Sequence, residues 1–141
     1  MKELLIACAV VALAYSQTGL EIQDLGSFSN EELKCIKEFN LNATKLTILL
    51  KLPYMPEHDV DFNKFTECTW KQQGLLDVKG DVIWTAFKFY VKGAYMDAVG
   101  IADLADFFAE DTTSHCKDVK GNSPGQIAVK LMNCIVKRLY S

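Results

Sequence analysis

Apolar side chains recur at three- and four-residue intervals along most of this chain, and the polar positions between them carry signals that start and stop helices. Ser29-Asn30-Glu31-Glu32 opens the first. A serine cap with glutamate three residues on satisfies two orphan amides reciprocally, and Leu33, Ile36 and Phe39 follow at helical spacing, with Cys35 on the same helix. Leu46, Leu49 and Leu50 place a second, shorter helix within 41–52; Pro53 and Pro56 end it, the latter restricting Met55 before it. A third, from Asp61, carries Phe62, Phe65, Cys68 and Trp70. Gly74 interrupts it, and Leu75 and Leu76 turn back onto the core.

Asp77-Val78-Lys79-Gly80 predicts a turn, after which Asp81 caps a fourth and very aromatic helix. Ile83, Phe87 and Tyr90 share one of its faces, with Trp84 and Val91 beside them. Almost nothing on it is polar except Lys88 and Lys92, which predicts a central position. Gly93 and Gly100 bracket a weaker stretch, and Ile101, Leu104, Phe107 and Phe108 define a fifth helix running toward Cys116. Lys120-Gly121-Asn122 is a loop. Ser123-Pro124 opens the last helix, proline being tolerated at a first helical position, and Ile127, Leu131, Cys134, Ile135 and Arg138 continue it. Strand alternation and paired hairpin signals are missing, so the fold class is all-α: one compact domain of about six helices, with no internal repeat.

The beginning of the chain needs a different reading. Lys2, the apolar run Leu4 to Ala14 and the small residues Ala14 and Ser16 form a secretory signal over 1–16, leaving 17–141 as the helical domain. As a membrane anchor the run falls short, reaching only about 16 Å against a hydrocarbon core of roughly 30 Å. No later segment is long and apolar enough to insert, so the product is expected to be secreted and extracellular. Loss of Lys2 and Glu3 leaves the net charge at -3, with no basic stripe to neutralise phosphates, which argues against nucleic acid as a partner.

Of the five cysteines, Cys8 leaves with the signal. Cys35, Cys68, Cys116 and Cys134 remain as an even set in an oxidising compartment, and four cysteines allow three pairings. Structural zinc sites pair ligands two to four residues apart; no such pair exists here, so no metal is expected.

Catalytic constellations are equally scarce. Ser114-His115-Cys116-Lys117-Asp118 bears a superficial likeness to the histidine and aspartate of secreted phospholipases, without their glycine-rich calcium loop or paired cysteine motif. Only His58 and His115 could serve as an imidazole base, and the nearby Cys116 is expected to be oxidised. Asp103, Asp106 and Glu110 fall on the outer side of an amphipathic helix, opposite Leu104, Phe107 and Phe108. No enzyme activity and no cofactor are expected. Asn42-Ala43-Thr44 matches a glycosylation sequon, whose use implies an exposed start to the second helix.

The order of these parts resembles the insect odorant-binding proteins: helix, proline-containing loop, Cys68 helix, aromatic helix, Cys116, loop and Cys134 helix. The most specific segment is Phe65-Thr66-Glu67-Cys68-Thr69-Trp70-Lys71-Gln72-Gln73-Gly74-Leu75-Leu76-Asp77-Val78-Lys79-Gly80, similar to that family's third-cysteine helix and the turn after it. Most of the family carries six cysteines. Here Lys64 and Gly125 stand where the second and fifth would be, two that bond to each other, so the chain resembles the four-cysteine, minus-C subclass. The resemblance implies disulfides Cys35 to Cys68 and Cys116 to Cys134. It also implies an apolar cavity that carries small hydrophobic molecules such as odorants, pheromones or similar semi-volatiles.

Leu49 and Phe65, with Ile83, Trp84, Phe87 and Tyr90 of the aromatic helix, are its expected lining. Phe108, Leu131 and Ile135 complete the set. Further partners left open are a membrane receptor and a second copy of the chain. The alternative on the same scaffold is a gland, haemolymph or seminal protein that sequesters a signal or docks another protein. Transcripts confined to antennae favour the first reading over the second.

Overall fold

Helices begin where a Ser, Asn or Asp side chain can take up amides that the helix leaves unsatisfied. The structure, a computed structural model, describes residues 27–141, so the expected signal over 1–16 and Cys8 lie outside the described residues. Helix α1 (Asn30–Glu38) has the expected capping box. Ser29 Oγ accepts from the Glu32 amide at 3.2 Å, and the Glu32 carboxylate accepts from the Ser29 amide at 2.7 Å. Asn42 caps α2 (Ala43–Leu50), accepting from the Lys45 amide at 2.9 Å. Asp59 caps α3 (Val60–Gln72), accepting from the Phe62 amide at 2.8 Å.

The start of α4 (Trp84–Val99) departs from the sequence reading, because Ile83, not Asp81, holds the cap position and makes no side-chain cap bond. Asp81 is committed elsewhere. Its amide donates to the Asp77 carboxylate and its carbonyl accepts from the Asp77 amide, both at 2.9 Å. These bonds close the 77–80 turn beneath an isolated antiparallel bridge between Leu76 and Val82. Gly93 does not interrupt α4, which runs on to Gly100, where φ of 69° turns the chain into α5 (Ala102–Cys116). Ser123 caps α6 (Pro124–Leu139), with Pro124 in its first turn. These six helices, with no strand among the described residues, make the fold all-α.

Two apolar clusters form the core. One joins Phe28, just before α1, to Cys35, Ile36, Leu46, Phe62 and Phe65 of the first three helices; the other joins Trp70, Leu75 and Leu76 to the inner faces of α4, α5 and α6. Helix α6 ties them together, placing Val129 in the first and Ala128, Leu131 and Ile135 in the second. On α5 the buried face is Ala105, Ala109, Thr112, Thr113 and Cys116, whereas Phe107 is 66% exposed. The expected apolar face is thus displaced, because the alanines let α4 approach closely while the larger side chains flank the contact. Asp106 and Glu110 do face outward, pairing with Lys92 and Lys88 of α4.

Disulfides join Cys35 to Cys68 and Cys116 to Cys134, as the resemblance implies. Helices α3 and α6 touch backbone to backbone. A Cβ at Gly125 would lie 2.1 Å from the Asn63 carbonyl oxygen. Beside this contact the Gln126 amide donates to the Glu57 carbonyl at 3.0 Å, and Asn133 exchanges bonds with the Met55 backbone at 2.7 and 3.0 Å.

Asp59 also pairs with Lys45 at 2.8 Å, joining α2 to α3. Burial raises the Asp59 pKa, but the hydrogen bonds from Lys45 and the Phe62 amide outweigh it and hold the carboxyl below its ordinary value. A depressed folded pKa contributes stability that is present above the unfolded value, about 3.9, and lost as pH falls through the folded one. Asp59→Ala is therefore expected to lower stability by about 1 kcal/mol at neutral pH. In urea unfolding, its difference from the parent should shrink below about pH 4.

Candidate ligand groove on the fourth helix

Residues 86, 89, 90, 93, 94 and 97 recur at helical spacing, and the structure leaves this face of α4 uncovered by α5. With Gln73 and Leu75, which follow α3, they line an open groove of about 690 Å³. The chain reaches this position because Gly74 adopts φ of 75°, turning it just after α3 and setting Leu75 against α4. Ala86, Gly93 and Ala94 keep the trough shallow-walled, Phe89 and Tyr90 supply aromatic surface, and Gln73 and Asp97 are polar. Phe89 is 78% exposed, so α4 is central on one side only.

Behind the groove stands a connected aromatic set. The Tyr90 ring lies 6.0 Å from Trp70, Trp70 lies 6.2 Å from Phe87, and Trp84 meets Phe87 edge-on at 5.4 Å. Although 42% of Tyr90 is open, the atoms crowding its phenol push the pKa above the ordinary tyrosine value. Deeper still, the Tyr95 hydroxyl pairs with that of Thr112 at 2.7 Å, while the buried Thr113 hydroxyl has no hydrogen-bond partner.

A second depression, of about 730 Å³, lies beside the Cys116–Cys134 bridge. Lys120, Lys130, Lys137, His115, Glu57 and Asp118 contribute to its lining. Ligand sites for apolar molecules are walled mainly by carbon with a few placed polar groups, a description that fits the α4 groove better.

The residues expected from the sequence fall into separate places. Tyr90 lines the groove. Trp84, Phe87, Phe108, Leu131 and Ile135 belong to the cluster that includes the groove's Leu75; Phe87 and Leu131 are fully enclosed, and Phe108 stacks on Tyr95 at 5.3 Å. Leu49 and Phe65 lie in the other cluster, and Ile83 sits at the exposed start of α4. Gln73, Leu75, Ala86, Phe89, Gly93, Ala94 and Asp97 lie outside that expectation. For those on α4 the signal was its second apolar face, since a helix apolar on two faces has one to spare once the core is covered.

Asn42 is exposed, and its cap bond uses Oδ1. No group of three or more His, Cys, Asp or Glu among the described residues is placed to hold a metal ion. No described helix is long and apolar enough to cross a membrane.

Comparison with known sequences adds one finding. The model of the PBP/GOBP family matches residues 20–138. Searches among curated proteins and among solved structures return no match.

Proposed function

Because the chain belongs to the PBP/GOBP family, whose members are binding proteins of the insect odorant and pheromone type, we propose that it is a secreted carrier of small hydrophobic molecules. Its ligand seats in the α4 groove. The observation that carries this reading is a trough of about 690 Å³, largely apolar and open to an approaching molecule, on a helix whose other face is committed to the core. Tyr90 is the first contact, with Trp84 and Phe87 as the wall behind it. A guest that penetrates further meets Phe108, Leu131 and Ile135. Leu49, Phe65 and Ile83 serve only a path that continues toward the first three helices.

Covering about 300 Å² of apolar ligand surface contributes on the order of 7 kcal/mol at 25 cal/mol per Å². Immobilisation subtracts from this, and one hydrogen bond adds about 1 kcal/mol, so affinities near micromolar are expected. Lys64 and Gly125, standing where six-cysteine members carry a bonded pair, support the four-cysteine subclass. Secretion is supported by the 1–16 segment.

Native mass spectrometry of protein purified from its source is expected to retain a bound small molecule, and an apolar fluorescent probe should be displaced at micromolar concentrations. Failure of a broad panel of alcohols, esters, aldehydes and fatty acids to displace the probe would remove the carrier reading.

A further inference from the structure

We propose that the α4 groove prefers ligands carrying an ammonium group at one end of an apolar chain, with Asp97 as the counter-ion. The inference rests on reading the groove as the ligand site. Asp97 is the one charged residue in the lining, and no lysine or arginine accompanies it. It is exposed, and among the described residues it has neither an ion pair nor a hydrogen bond. The lysines on α4 and near the end of α3 are occupied: Lys88 by Glu110, Lys92 by Asp106 and Lys71 by Glu67. The groove therefore keeps an uncompensated negative charge at one end.

Asp97 lies seven residues beyond Tyr90 on the same helix, about 10 Å along its axis at 1.5 Å per residue. Between them Gly93 and Ala94 leave a smooth floor, and at the far end Phe89, Tyr90 and Leu75 present apolar surface. An alkylammonium laid along this line puts its cation beside the carboxylate and its chain over the floor and the aromatic rings. An alcohol of equal length donates a hydrogen bond without the charge, and a carboxylate at the same position is repelled. Because the pair is open to solvent, the gain is modest, up to about fivefold, and shrinks with salt.

Octylamine, 1-octanol and octanoate, titrated into the full chain and into Asp97→Asn at low and high salt, test this. The parent is expected to bind them in the order amine, alcohol, carboxylate. Asp97→Asn should erase the amine's advantage over octanol, costing the amine more than the alcohol, and high salt should do the same to the parent. Equal binding of amine and alcohol by the parent overturns the inference while leaving the groove a ligand site. So does an equal loss of both ligands in the variant. No binding of any of the three, in either protein, takes down the groove reading and the inference together.

Discussion

Removing the Cys35–Cys68 bridge by the double substitution Cys35→Ala/Cys68→Ala is expected to lower stability by about 4 kcal/mol in the chain-entropy model. The bridge spans a sequence separation of 33, against 18 for Cys116–Cys134, whose loss should cost about 3 kcal/mol. Packing adds to the first figure. Cys35 is wholly enclosed among Phe28, Ile36, Leu46, Phe62 and Phe65, so the missing sulfurs leave a void in the smaller cluster, the one without α4 and α5. Alanine avoids leaving a buried hydroxyl in their place. Urea midpoints of the two double variants check both the size and the order; an unchanged midpoint for Cys35→Ala/Cys68→Ala would mean that α1 is held by packing alone.

Gly125→Ala is expected to cost about 3 kcal/mol, at the upper end of overpacking penalties. The added carbon would lie 2.1 Å from the Asn63 carbonyl oxygen and 2.7 Å from its carbon, and backbone on both sides cannot rotate away as a side chain can. Helices α3 and α6 would have to part, stretching the Gln126 bond to Glu57 and the Asn133 bonds to Met55. The same change at Gly93, where an added carbon meets nothing within 4 Å, should instead stabilise by about 0.5 to 1 kcal/mol through helix propensity. Opposite signs for one chemical change would establish that Gly125 is a contact and Gly93 an open floor.

The Gly125 contact sets how closely α3 and α6 pack. At Gly125 the α6 backbone meets the α3 backbone at Asn63, an approach that a residue without a side chain allows. The resemblance singled out Lys64 and Gly125, but a sequence carries no distance between α3 and α6.

Other features were legible in the residues for stated reasons. Ser29 and Ser123 begin helices because their side chains satisfy amides locally, and local chemistry needs no tertiary knowledge; Asn42 and Asp59 cap α2 and α3 in the same way, although the sequence pattern placed the start of the third helix at Asp61. Asp81 breaks that rule because the 77–80 turn and the Leu76–Val82 bridge claim it first. Gly93 stays helical because α4 is held along its whole length by Phe87, Val91 and Tyr95, and tertiary packing overrides one weak position. The buried face of α5 could have been found by stepping back from Cys116, since a bonded cysteine points inward and positions four, seven and eleven residues earlier are Thr112, Ala109 and Ala105. Side-chain size pointed instead to Leu104 and Phe107. The groove was harder to read, because a pocket depends on which face of α4 its neighbours leave uncovered.

Filling the groove from its floor tests the central claim most directly. Gly93→Phe introduces a side chain into open space on a helix that tolerates it, so thermal unfolding should stay level or rise slightly. Probe-displacement titration of the parent and this variant is the measurement: at least about a tenfold loss of affinity in the variant, or roughly 1.4 kcal/mol, is the expected result. Equal affinity in the two proteins would place the ligand elsewhere and contradict the account.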